Sequence, residues 1–284
     1  MINSDIIYKA ELLRKSWDID NTSPLNILQS AIGNIDNLTI LWFPMLDELS
    51  GCCCKTEDDN VICINSKHSK GRQNFTFAHE LYHLLYEDAR DSFVCNVNSS
   101  DESEKNANKF AECLLIPNIG LYEFIKRNEI IEWGMNDIIK CEQYFQISHT
   151  AMLCKLRREN LISYDDYVRY KSGVKSAAWN LGYDLSLYEP TNENYSLGKI
   201  IPLSSMAYDN NMITGGKYDE ILLNIFRGDM VYNTLKEDGD IVWNRCILWF
   251  WLFKLFFGCK WVWNFTKVIY SDNSSCSGGV WNFR

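Results

Sequence analysis

The sequence predicts an α+β domain in which a small sheet lies beside a histidine-bearing helix and further helices close around both. Three observations carry that expectation. Phe75, Ala78, Leu81, Leu84 and Leu85 form an apolar stripe at helical spacing. Leu38 to Phe43 and Val61 to Asn65 are short apolar runs of strand length. Glu104 onward returns to helical spacing through Ala107, Phe110, Ala111 and Leu114. With 284 residues, 46% of them hydrophobic, the chain can build one large domain or two smaller ones around a proper core.

Two helices are expected ahead of the first strand, over residues 6–17 and 24–33. Ser23 caps the second, and Pro24 takes its first position, where a missing N–H costs nothing. Residues 51–60 then join the two strands as an excursion, and its triplet Cys52, Cys53, Cys54 reads as a reduced, partly buried loop or strand edge. The 11 cysteines are scattered and odd in number, which does not make a disulfide framework. A small sheet offers an edge to which an extended peptide adds as a strand. Val61 to Asn65 is expected to be that edge, with Ile64 and Asn65 touching substrate.

From 120 to 163 the pattern is helical, with Lys155, Arg157 and Arg158 on one element. A net charge of −9 favours a solvated face there over a nucleic-acid reading helix, so no direct nucleic-acid partner is expected. The domain is expected to span 1–165, followed by an accessory region over 166–240 in which a Gly215-Gly216 turn leads into a helix from about Lys217 to Arg227. A tail over 241–284 holds six of the 10 tryptophans. Its apolar run from Cys246 to Phe253 is far short of the roughly 20 residues that cross a bilayer. A packed or poorly ordered tail is expected first, and interfacial membrane contact second. The start, Met1-Ile2-Asn3-Ser4-Asp5, lacks the basic and apolar features of a signal peptide, so a cytoplasmic location is expected.

His79-Glu80-Leu81-Tyr82-His83 spells HExxH within the first of these amphipathic helices. Residues four apart share a helical face, so two imidazoles can grip one ion with Glu80 beside it, the pattern of a zinc hydrolase. Zinc in a catalytic site takes three protein ligands, so a third is needed downstream, and Glu104 and Glu112 are the candidates. Asn108, one turn on from Glu104, is placed to hydrogen-bond a ligand. Zinc acidifies water and polarises a carbonyl, while Glu80, not itself a ligand, takes the proton and passes it to the leaving amine. His149, Tyr82 and Tyr86 are candidates by residue type alone for stabilising an oxyanion, and each is more ordinarily structural.

The run RQNFTFAHELYHLL (Arg72 to Leu85), followed by ExxANxFAxxLLxP (Glu104 to Pro117), resembles the signature of the ImmA/IrrE metallo-endopeptidases. Ala10 to Arg14, Ser23 to Ile27, Leu38 to Phe43, the Ser50-Gly51 turn and Val61 to Asn65 follow that family's order, and Ile147 to Met152 with Leu156 to Ile162 resemble its closing helices. The resemblance covers residues 8–165 well and 166–240 loosely; Tyr82 stands where Gly is common, and Ile116 where Met is. It implies a zincin-like fold and a Zn2+-dependent endopeptidase acting on a protein partner, often a helix-turn-helix repressor of mobile elements or stress operons. His79, His83 and Glu104 match the zinc-ligand positions and Glu80 the catalytic base. A noncatalytic protein of the same fold that sequesters a regulator is the alternative, and a DNA-binding regulator a distant third.

Overall fold

A computed structural model describes residues 2–87, 93–96 and 102–232, with backbone alone for 2, 3 and 93–96. The 241–284 tail, and the part of the accessory region beyond Tyr232, lie outside the described residues. The chain divides into two compact units, Met1–Lys199 and a second that begins at Ile200.

The first unit opens with α1 (Ile2–Ser16) and α2 (Ile27–Asn34), then β1 (Leu38–Phe43), β2 (Leu49–Lys55) and β3 (Asn60–Asn65). Next come α3 (Lys70–Tyr86), β4 (Phe93–Asn96) and α4 (Glu102–Leu115). Five further helices follow: α5 (Asn118–Arg127), α6 (Met135–Phe145), α7 (His149–Arg158), α8 (Tyr164–Arg169) and α9 (Val174–Asn180). A 3-10 turn at Ser186–Tyr188 leads to β5 (Tyr195–Gly198). The sheet order is β4-β2-β3-β1-β5; β1 and β3 are parallel, and the other pairs are antiparallel. Every residue of β1 is buried, as expected of an inner strand covered on both faces.

Three expectations change here. The excursion between the first two strands contains a strand of its own, because Leu49 to Lys55 pairs with β3 on one side and β4 on the other. The cysteine triplet therefore lies in the interior of the sheet, and all seven cysteines whose side chains are described are free thiols. Val61 to Asn65 is not an edge, since β3 is the middle strand of five. Asn65 is fully buried: its Oδ1 accepts from the Met45 and Lys67 amides, and its Nδ2 donates to the Leu46 and Leu49 carbonyls. Ile64 is buried in the core. Neither can meet a peptide without breaking the sheet.

The opening of α2 also shifts. Asn26 rather than Ser23 is its cap, accepting from the Gln29 amide, and the Ser23 carbonyl accepts from Arg14. Arg14 is fully buried and donates to the carbonyls of Leu114, Asp20 and Ser23 at 2.8, 2.6 and 2.6 Å, tying α1 to the end of α4 and to the loop before α2. Burial pushes its guanidinium pKa down to about 10, against partial relief from the Asp20 charge. The first unit runs past the expected limit at 165, since β5 adds to β1 through Thr39↔Gly198 to Trp42↔Tyr195.

The second unit contains α10 (Ile200–Asp209), α11 (Gly215–Asn224) and α12 (Gly228–Val231). Thr214 caps α11 by accepting from Lys217, so the two glycines form its first turn rather than a turn before it. Tyr208 and Tyr218 stack with ring centres 5.1 Å apart. Among the described residues, no helix is long and apolar enough to cross a membrane.

Candidate metal centre

Helix α3 lies across the sheet and presents different faces to different neighbours. Phe77, Leu81 and Leu84 enter the core; His79 and His83 turn toward α4; Glu80 turns toward β2. Glu80 is fully buried, which requires its carboxylate to be received by the strand. Gly51 makes room for it. A Cβ there would lie 2.7 Å from Thr76 Cγ2, 2.8 Å from the Cys63 carbonyl and 3.2 Å from Glu80 Oε1. Cys53, two residues along on the same face of β2, hydrogen-bonds to Glu80. Its thiol pKa is pushed up, first by burial and then by the Glu80 charge.

The two imidazoles converge, with His79 Nε2 3.1 Å from His83 Nε2. Glu104, in the first turn of α4, brings Oε2 to 3.2 Å from His79 Nε2 and Oε1 to 3.7 Å from His83 Nε2. One ligand atom from each residue lies within 4.8 Å of the others. The outer nitrogens are fixed separately: His79 Nδ1 sits 3.1 Å from Asn108 Oδ1, and His83 Nδ1 2.7 Å from Glu87 Oε2. Ser103 in turn donates to the other oxygen of Glu87. A carboxylate and an amide oxygen accept, so Nδ1 is the donor in each ring, and the Nε2 lone pairs point at one another and at Glu104. Three electron-rich groups facing one space repel unless a cation lies between them. Burial alone lowers the His79 pKa, yet the Glu104 hydrogen bond, the charges of Glu80 and Glu104 and the Asn108 hydrogen bond outweigh it, and the pKa is raised. The donor set therefore fits a divalent ion held by two nitrogens and a carboxylate, with each histidine oriented from behind.

The other candidates lie elsewhere. Glu112 is neither a ligand nor solvated: it is buried and accepts from Lys109 at 3.0 Å, from Lys155 at 3.3 Å and from Arg158. His149 Nδ1 donates to Glu142 at 2.9 Å and its Nε2 to the Tyr170 carbonyl at 2.7 Å, outside the histidine pair. Tyr86 donates to the Lys9 carbonyl, and Tyr82 packs on Phe110 with ring centres 5.5 Å apart. Of the basic residues expected on a solvated face of α7, Arg157 and Arg158 are exposed, Arg157 lying over the rings of Tyr164 and Tyr167, whereas Lys155 is fully buried. Glu87 was not among the expected residues. Its signal was present, because it stands four positions after His83 and so shares its helical face.

A buried pair of histidines on one helix, a carboxylate from the next and a buried glutamate beside them, mounted on an α+β fold with a small sheet, define a metallopeptidase-type domain consistent with the zincin-like class. Residues 46–157 match the family model described as the IrrE N-terminal-like domain, Peptidase_M78, so this segment belongs to the ImmA/IrrE metallopeptidase family. The matched segment contains Glu80, the three convergent residues, Asn108 and Glu87. A search of the curated proteins finds no match to the chain.

Proposed function

We propose that the protein is a zinc-dependent endopeptidase that cuts a specific cytoplasmic protein, a helix-turn-helix transcriptional repressor. The convergence of His79, His83 and Glu104, with buried Glu80 next in the chain to a ligand, carries this reading. The repressor as substrate class rests on the resemblance of Arg72 to Leu85 and Glu104 to Pro117 to the ImmA/IrrE signature.

His79, His83 and Glu104 would hold the ion, while Asn108 and Glu87 keep each ring in its tautomer and orientation. A zinc ion held there supplies Lewis acidity, making water a competent nucleophile and polarising the scissile carbonyl. Glu80 takes a proton from the attacking water on its carboxylate and returns it to the departing amine nitrogen. Gly51 and Cys53 hold that carboxylate against β2 and limit the water that can reach it.

The test is a comparison of the full-length protein with its Glu80→Gln variant. Each is loaded with zinc and incubated with candidate repressors, and fragments are followed by mass spectrometry. Both are expected to bind about one zinc, with cleavage reduced about 10²–10⁴-fold in the variant. Equal cleavage by the two proteins would remove Glu80 from the chemistry.

A further inference from the structure

Arg72 stands two turns before Glu80 on the same face of α3. It is half-buried, and its Nη2 donates to Ser50 Oγ at 3.1 Å, on the residue before the glycine that accommodates Glu80. Among the described residues it has no carboxylate partner; of the two acidic residues of the adjoining loop, Asp47 is paired with Lys67 at 3.3 Å and Glu48 is exposed. His68 lies beside it. The His68 ring bonds to the Asp47 carbonyl, and its Nδ1 is buried without a hydrogen-bond partner. Burial, followed by the Arg72 charge, holds the His68 pKa below its ordinary value, so the ring is neutral; with its other nitrogen donating to the Asp47 carbonyl, Nδ1 keeps a lone pair and adds no positive charge beside Arg72.

A guanidinium offers five donors in a planar fork that matches a carboxylate, and here a neutral hydroxyl takes up only part of that capacity. Keeping such a charge half-buried without a counter-charge is costly, and a bound carboxylate offsets the cost. We propose that Arg72 is a subsite for an acidic side chain of the substrate. This rests on the reading of Glu80 as the catalytic base. Eight helical residues separate the two, a rise of about 12 Å. An extended peptide advances about 3.3 Å per residue, so a substrate running along α3 places its acidic residue roughly three or four positions from the scissile bond. The competing account is that Arg72 only fastens α3 to β2 through Ser50.

The experiment uses the zinc-loaded full chain carrying Glu80→Gln, which retains peptides without cutting them. A library of random-sequence peptides is passed over it, and retained peptides are sequenced by mass spectrometry. The same is done with Arg72→Gln added, a change that keeps the stem and a donor for Ser50 but removes the charge. Aspartate and glutamate are expected to be enriched about tenfold at one position, and that enrichment is expected to vanish with Arg72→Gln. No acidic enrichment, no retained peptide, or enrichment that survives Arg72→Gln overturns the proposal. If Arg72→Gln fails to fold, Arg72→Lys replaces it; a reduced enrichment supports the fork and an unchanged one overturns it. Offering the retained peptides to the wild type tests the other reading separately: if it cuts none of them, Glu80 loses its role, whereas the acidic preference is judged on retention alone.

Discussion

Helix α4 carries Glu104 and Glu112, eight residues apart, and they end in opposite surroundings. Glu112 is buried among cations: Lys109, Lys155 and Arg158 all reach it, and Lys155, itself fully buried, also bonds Asn118 and Glu159. Each charge there is met inside the protein, and the result joins α4 to α7. Glu104 meets two imidazole nitrogens whose opposite ring atoms are already donating. That group offers two ring nitrogens and a carboxylate to one space, a donor set that fits a divalent ion. A carboxylate surrounded by ammonium and guanidinium groups is structural, while one that faces imidazole nitrogens is suited to share a metal. Either glutamate qualified as the third ligand by residue type, and the charge surrounding each separates them.

The largest stability effect is expected in the compensated cluster. Lys155→Met removes a buried cation from Glu112 and Glu159 and should cost about 3 kcal/mol, the low end for breaking a buried pair because Lys109 and Arg158 remain on Glu112. Denaturant unfolding measures the loss, and zinc content should not change; zinc lost along with stability would break the separation between the two clusters. A smaller effect belongs to the metal side. Glu87→Ala frees the His83 ring and is expected to weaken zinc binding about 10–100-fold, read by competition with a chelator, with little change in melting temperature at saturating zinc.

The smallest effect concerns a third buried group, Glu142 with His149, into which Tyr188 also donates. Burial lowers the His149 pKa, but its bonds to Glu142 and to the Tyr170 carbonyl outweigh this and raise it above the ordinary 6.5. Burial also raises Glu142, against partial relief from His149. Both shifts mean that the folded state holds protons more tightly than the unfolded state. The His149 contribution is complete below about pH 6.5 and is lost as pH rises through the folded value, and Glu142 acts in the same direction from a lower pH. The zinc-loaded protein should therefore lose a few degrees of melting temperature on going from pH 6 to pH 8, at roughly 2–4 °C per kcal/mol. The double variant Glu142→Gln, His149→Gln should show a flatter profile, and an equally steep one would assign the pH dependence to other groups.

The helices were legible because their signals are local. The stripe from Phe75 to Leu85 and the run Ala107, Phe110, Ala111, Leu114 fall on the core sides of α3 and α4. The HExxH spacing placed both histidines on one face of α3 for the same reason. Sheet order was not legible, because it depends on pairings between distant segments. Nothing local in Val61 to Asn65 says that strands will lie on both sides of it, and the cysteine triplet hid β2 by lacking the β-branched residues that mark a strand. Burial of polar residues was the other blind spot. Glu112 and Lys155 look solvated in sequence, since a charged residue on a helix usually is, and only their mutual approach makes burial affordable.

The most direct measurement is zinc per chain, by mass spectrometry of the metal after exhaustive dialysis, for the wild type, Glu104→Ala and Glu112→Ala. About one zinc is expected in the wild type and in Glu112→Ala, whose loss should appear in stability instead, and Glu104→Ala should fall well below one. Zinc retained at full occupancy in Glu104→Ala, or lost in a folded Glu112→Ala, would contradict the assignment of the ion to His79, His83 and Glu104.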